Sequence, residues 1–205
     1  MKKTAVLYIH GKGGTAAEAE AYRALFPSCE VIGFDYRSDN PWECAEEFRR
    51  EVNRLKQEFD SITLIANSIG AFFSMNAFSR EDIDRAYFIS PIVDMCDLIG
   101  NMMLWANVTE KELQSKKEIE TAFGETLSWE YLSYVRSHPV CWDVPTDILY
   151  GEKDGMTSLE VISGFADRHH ASLTVMPEGE HWFHTKEQMD FLSEWLRRHS
   201  LNTAI

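Results

Sequence analysis

The sequence predicts an α/β fold in which a mostly parallel sheet is wrapped by helices. Three observations carry that expectation. Short apolar runs alternate with capped amphipathic segments along nearly the whole chain, the rhythm of strands joined by crossover helices. The run at 61–66, SITLIA, is apolar on both parities, as a strand covered on both faces requires. The 205 residues are 44% hydrophobic and 12% aromatic, enough apolar material for one domain with a sizeable core.

The elements follow in order. Residues 4–9 (TAVLYI) read as a buried strand that stops at the glycine loop His10-Gly11-Lys12-Gly13-Gly14. Thr15 and Glu18 then have the spacing of a capping box, which satisfies amide donors that a helix start leaves without partners, and Pro27 closes that helix. A second strand spans 30–34. Asn40 as cap and Pro41 at the first helical position open a long charged helix, on which Glu46, Glu47, Arg49, Arg50, Glu51 and Arg54 read as a solvated face. The strand 61–66 belongs mid-sheet and runs straight into Asn67-Ser68-Ile69-Gly70 and a helical segment at 71–79. A fourth strand, 85–89, ends at Ser90-Pro91. From about 93 to 142 no good strand is visible, but two or three helical patterns are, with starts at Thr109/Glu112 and at Ser128. Strand character returns at 146–150, followed by a loop at 151–155, a helix at 158–169, a strand at 173–176, a loop at 177–184 and a final helix opened by Thr185. With no internal repeat or low-complexity linker, 1–205 reads as one domain carrying a helical insertion at about 93–142.

Composition excludes several function classes. The chain has 20 Lys+Arg against 33 Asp+Glu, a formal charge of −13, so its surface repels phosphate; neither nucleic acid nor an anionic membrane is an expected partner. Four scattered cysteines without a CxxC pair suggest neither a disulfide framework nor a zinc site, and reduced thiols in a cytoplasmic protein are expected. The apolar run at 5–9 is too short for a secretory signal, and nothing approaches the roughly 20 apolar residues of a membrane span.

Ser68 stands where a strand must reverse sharply into a helix, with small residues, Ala66 and Gly70, two before and two after it. A nucleophile elbow needs this arrangement: a strained serine whose hydroxyl projects above the sheet, with strand and helix in close approach. The usual pattern is Gly-x-Ser-x-Gly, and Ala66 departs from it while remaining small. A serine capping the following helix is the competing reading. A serine hydroxyl also needs a histidine to take its proton and a carboxylate to orient the histidine. Asp154 follows one strand, in the phrase Gly151-Glu-Lys-Asp154-Gly155, and His181 follows the next, in Glu178-Gly179-Glu180-His181.

At this point the chain resembles the α/β-hydrolase family, whose members place serine, acid and histidine in that order after successive strands. The resemblance covers nearly the whole chain and rests on four separated motifs, the fourth being the glycine loop after the first strand. It implies a three-layer fold with about six mostly parallel strands, trimmed of the family's leading hairpin, and a lid at the position of the insertion. It implies Ser68, His181 and Asp154 as the catalytic residues, and the backbone amides of Lys12 and Ile69 as donors to a developing oxyanion. It implies no cofactor and a small-molecule acyl substrate.

Other residues compete. Asp94 and Asp97 follow the fourth strand, from which some relatives supply the acid. Asp147 sits inside a strand pattern and reads as structural. His184 could share a helical face with His181, while His169 and His170 suit a helix C-terminus. No convergent carboxylate or thiolate set supports a metal. His10 reads as fixing the glycine loop, with direct substrate contact left open. That loop lacks the G-x-G-x-x-G and Gly-Lys-Ser/Thr patterns of nucleotide sites, and the Lys12 ammonium reads as solvated or as attracting an anionic substrate. In the insertion, Met102, Met103, Trp105 and Trp129 would either line an adaptable apolar pocket or pack the lid helices. The expectation is therefore a serine hydrolase of a small, mostly apolar carboxylic ester or related acyl substrate. A binding or regulatory protein that keeps this fold without the chemistry is the alternative, and a peroxidase-like or carbon-carbon-bond hydrolase is a third possibility.

Overall fold

The computed structural model describes residues 3–201 and divides into two compact units, 94–141 and the remainder. In the larger unit the chain runs through β1 (Thr4–Ile9), a 3-10 helix (Ala16–Leu25), β2 (Glu30–Gly33), α1 (Pro41–Leu55), β3 (Ser61–Asn67), α2 (Ile69–Ala77) and β4 (Arg85–Ile89). The smaller unit contributes α3 (Met95–Trp105), α4 (Glu110–Lys116), β5 (Glu118–Glu120), β6 (Thr126–Ser128) and α5 (Trp129–Ser137). The larger unit resumes with β7 (Thr146–Gly151), α6 (Leu159–His169), β8 (Ser172–Met176) and α7 (Lys186–Leu201).

Six strands form one sheet in the order β2-β1-β3-β4-β7-β8, every neighbouring pair parallel. Parallel strands must be covered on both faces, and the parity of each strand decides what covers it. Tyr8 and Tyr87 face the 3-10 helix and α7, in a core with Tyr22, Phe26, Trp195 and Leu196. Ile9, one residue on from Tyr8, points the other way and touches α2 at Gly70. On that side Phe48 of α1 meets Phe73 of α2 nearly edge-on, 6.4 Å between ring centroids. Helices on both faces of the sheet make three layers.

Helix starts follow their caps. Asn40 Oδ1 accepts the Glu43 amide at 2.9 Å with Pro41 at the first helical position, and the Ser158 and Thr185 hydroxyls accept the Val161 and Gln188 amides at 3.2 Å. The segment after Thr15 is a 3-10 helix, pressed so closely on β2 that a Cβ on Gly33 would lie 1.9 Å from the Ala16 carbonyl oxygen. At the other end of the sheet Asp147 is buried, receiving Arg85 Nε at 3.0 Å and Ser172 Oγ at 2.6 Å, so its carboxylate joins β4, β7 and β8.

The smaller unit corrects one expectation. The stretch 93–142 is not free of strands: β5 and β6 pair antiparallel, Ile119 opposite Leu127, around a turn in which Gly124 has φ 87°. Each strand is only three residues long, too short for a two-residue period to register against the helical patterns on either side. Asp94 Oδ1 caps α3 by accepting the Asp97 amide at 3.0 Å, and the Thr109 and Ser128 hydroxyls each accept an amide at 3.3 Å to open α4 and α5.

Candidate active site

Because all six strands run the same way, the loops leaving β1, β3, β7 and β8 emerge along one edge of the sheet, where such folds place their ligand sites. Ser68 follows β3, which lies between β1 and β4. Its backbone sits at φ 49° and ψ −120°, a region that side-chain-bearing residues avoid at a cost of about 1–3 kcal/mol. Neighbouring strands and loops hold it there. The Ser68 amide donates to the Ile89 carbonyl at 3.0 Å, and the Ser68 carbonyl accepts from the Ile92 amide at 3.1 Å and the Ala71 amide at 3.1 Å. No side-chain bond from Ser68 caps α2, so the capping reading of this serine is not what its hydroxyl does.

That hydroxyl lies 2.8 Å from His181 Nε2. His181 Nδ1 lies 2.7 Å from Asp154 Oδ2, and the Asp154 side chain is fully buried. An ionised carboxylate only accepts hydrogen bonds, so the proton on the ring sits at Nδ1 and Nε2 is left to accept from Ser68 Oγ. The other carboxylate oxygen, Oδ1, accepts the Met156 amide at 2.8 Å, which fixes the Asp154 side chain from behind. Three residues separated by as many as 113 positions thus form one continuous hydrogen-bonded line.

The loops bearing Asp154 and His181 are fastened to each other. The Lys153 amide donates to the Gly179 carbonyl at 2.7 Å, and Tyr150 Oη donates to the Thr157 carbonyl at 2.8 Å, closing the loop around Asp154. Gly151 and Gly179 meet where these loops cross: a Cβ on Gly151 would lie 2.5 Å from the Glu180 carbonyl oxygen. Lys153 and Glu178 pair above the crossing. His184 lies in this loop rather than on a helix face with His181; its ring stacks on Trp182 at 4.5 Å and its Nδ1 meets the Trp182 carbonyl at 2.8 Å. His169 Nδ1 meets the Trp142 carbonyl at 2.7 Å, and His170 terminates α6 in a left-handed conformation.

The glycine loop lies directly against the elbow. A Cβ on Gly11 would sit 3.1 Å from Ser68 Cβ, and a Cβ on Gly70 would sit 2.4 Å from the His10 carbonyl oxygen. At Gly70 only glycine permits so close an approach, and at Gly11 a side chain would force Ser68 to shift. Ile69 is the first residue of α2, so its amide has no carbonyl partner within its own helix, and Lys12 follows Gly11 beside the serine. His10 does not reach out of the loop but braces it: its ring stacks on Tyr36 at 4.2 Å, its Nδ1 meets the Gly11 carbonyl at 2.8 Å, and Tyr36 Oη donates to the His10 carbonyl at 2.8 Å.

Two partnerships at this edge were not singled out by sequence. Tyr36 has no motif around it and becomes visible only when the sheet brings the end of β2 beside the end of β1. Tyr8 and Glu18 are joined by a 2.5 Å hydrogen bond from the phenol to Glu18 Oε2, while Glu18 Oε1 accepts the Thr15 amide at 3.0 Å. The capping-box spacing pointed to Glu18, but nothing in the pattern pointed to its second partner.

Neither a protein-family model nor a curated protein sequence matches the chain. Solved structures do. Est1E from Butyrivibrio proteoclasticus superposes with a TM-score of 0.78 over 98% of this chain and 88% of that one, at 17% identity. Mouse alpha/beta hydrolase domain-containing protein 10 does so at 0.73, over 98% and 90% of the two chains, at 19% identity. The Pyrococcus furiosus esterase PF2001 gives 0.65 over 97% and 80%, again at 19% identity. What these likenesses share with the chain is its architecture: it has the three-layer α/β-hydrolase fold. Among the described residues no group of three or more His, Cys, Asp or Glu side chains is arranged to hold a metal, and no helix is long and apolar enough to cross a membrane.

Proposed function

We propose that this protein is a serine hydrolase that cleaves a small, mostly apolar carboxylic ester or related acyl substrate. The observation that carries the reading is the line Ser68 Oγ to His181 Nε2 to Asp154 Oδ2, at 2.8 and 2.7 Å, anchored on a serine held at positive φ. Asp154 keeps the proton on Nδ1, so Nε2 takes the Ser68 proton as Oγ attacks the substrate carbonyl. The resulting imidazolium is stabilised by the same carboxylate and gives its proton to the leaving alcohol. Water, deprotonated by His181, then releases the acid from the acyl-enzyme. The Ile69 and Lys12 amides receive the oxyanion of each tetrahedral intermediate, a role that depends on backbone alone.

The substrate class rests on charge and on the fold's relatives. A chain of formal charge −13 offers little to a polyanionic substrate such as a CoA ester. Esterases are among the solved structures of this fold, and Est1E has been solved with ferulic acid bound. The test is labelling by a fluorophosphonate probe together with turnover of nitrophenyl esters of graded chain length. Wild type is expected to be labelled and active, and Ser68→Ala neither; labelling undiminished in Ser68→Ala removes the serine from the mechanism. A wild type that is neither labelled nor active supports a binding protein on the same fold.

A further inference from the structure

The glycine loop and the elbow carry one proposed oxyanion donor each, and their separation decides whether both can reach the same oxygen. Behind them runs a second line of polar side chains. Tyr8 pairs with Ile65 across the β1–β3 ladder, so it shares a sheet face with Asn67, two residues on and immediately before Ser68. Tyr8 is fully buried on β1, and its hydroxyl donates to Glu18 Oε2 at 2.5 Å. Glu18 Oε1 in turn accepts the Thr15 amide at 3.0 Å, at the exit of the glycine loop, and a Cβ on Gly14 would lie 2.8 Å from that same oxygen. The line thus runs from the strand paired with the nucleophile's own strand to the residue closing the loop. Burial, reinforced by the neighbouring Tyr22 and Glu18, pushes the Tyr8 phenol far above the ordinary tyrosine range, so it remains a donor at every working pH.

We propose that Tyr8 and Glu18 form a positioning relay that holds the glycine loop at the separation from the elbow that oxyanion binding requires. This rests on the serine-hydrolase reading above. Neither touches the reacting atoms; they act through the backbone of the glycine loop, residues 10–14. A core aromatic side chain would not need the hydroxyl for packing alone. The Tyr8 ring already has its hydrophobic neighbour in Tyr22 at 5.1 Å, so Tyr8→Phe removes the relay and leaves the core.

The relay is tested with Tyr8→Phe and Glu18→Gln against two readouts, ester turnover and the affinity of a phenylboronic acid that mimics the tetrahedral intermediate. Tyr8→Phe is expected to lower kcat by about 10- to 30-fold, a fraction of the loss that follows outright removal of an oxyanion donor. KM should stay within about twofold and boronate affinity fall by the same factor as kcat/KM, because only interactions made in the transition state are weakened. Glu18→Gln, which keeps an acceptor for the Thr15 amide, should fall between wild type and Tyr8→Phe. Should Tyr8→Phe fail to fold, Glu18→Gln, at an exposed position, carries the same two readouts. Turnover equal to wild type in these variants overturns the relay. So does a loss of kcat with boronate affinity unchanged, which would mean that the hydroxyl only supports the core. A wild type that binds neither boronate nor fluorophosphonate overturns the serine reading itself and the relay with it, an outcome distinct from failure of the variants alone.

Discussion

Gly151 offers a direct test of how the histidine is placed. A Cβ at this position would lie 2.5 Å from the Glu180 carbonyl oxygen and 2.6 Å from both the carbon and the oxygen of the Gly179 carbonyl. These are backbone atoms and cannot swing aside, so Gly151→Ala has to push the 177–184 loop away from β7 until ordinary contact near 3.4 Å is restored. That is a displacement of about 1 Å for the residue preceding His181, and a misplacement of this size can cost on the order of 10²-fold in rate. Overpacking of this kind typically destabilises by about 1–3 kcal/mol, roughly 2–12 °C in Tm for a chain of this size. Gly155 is the control: it lies in the same loop, and a Cβ there would meet nothing within 4 Å. The assay is kcat for a nitrophenyl ester and the rate of fluorophosphonate labelling at a temperature where both variants are folded. Gly151→Ala should lose both by about 10²-fold while Gly155→Ala matches wild type. A Gly151→Ala variant with wild-type kcat would refute the argument that this glycine crossing positions the base.

Three further outcomes follow from the geometry. Because Ser68 has a φ of 49°, Ser68→Gly should be about 1 kcal/mol more stable to denaturant than Ser68→Ala, both being inactive; equal midpoints would mean that the elbow stores no strain. Asp154→Asn should lower kcat on the order of 10⁴-fold through the wrong imidazole tautomer, whereas Asp94→Ala should cost about 1 kcal/mol of helix capping and leave kcat within twofold; the reverse pattern in the same ester assay would move the acid to Asp94. Burial raises the phenols of Tyr8, Tyr22 and Tyr36, so above pH 10 the native chain keeps protons that the unfolded chain has released. Their contribution is whole well below pH 10 and declines above it, approaching about 1.4 kcal/mol per pH unit per group, so between pH 10 and 11 these three phenols should lower the unfolding free energy by about 3 kcal/mol, of which Tyr22→Phe removes about 1. A flat profile in that interval would contradict the burial of these hydroxyls.

Much of the architecture was legible because the signals were local. The SITLIA run states its own two-sided burial, Asn40-Pro41 marks a helix start, and the strand-to-helix junction around Ser68 is compact enough to read as a motif. The fold that those signals predicted is the fold observed. What escaped was decided by register or by very short range. The hairpin at 118–128 has strands of three residues, below the length at which periodicity speaks. The capped segment after Thr15 winds as a 3-10 helix against β2, a tertiary fit that the capping pattern does not encode. At the site, the sequence left Asp94, Asp97 and Asp154 in competition. The geometry favours Asp154 for the proposed chemistry, since it is the carboxylate on His181 Nδ1, while Asp94 is engaged as a cap and Asp97 Oδ2 accepts from Asn101 at 3.0 Å. The partnership of Tyr36 with His10 spans 26 positions and depends on β2 lying beside β1 in one particular register, which parity alone does not give.

The ladder between β1 and β3 has one more consequence. Its last rung joins Ile9 to Ala66, and from that rung the glycine loop departs on one side and the serine turn, one residue later, on the other. Their starting separation is therefore a strand spacing, about 4.8 Å, set by amide and carbonyl groups, and the proposed Tyr8–Glu18 relay acts beyond it, on the course of the loop. A ruler of this kind is indifferent to repacking elsewhere. Side chains in the helices and connecting segments can therefore change without altering the gauge that spaces the two turns.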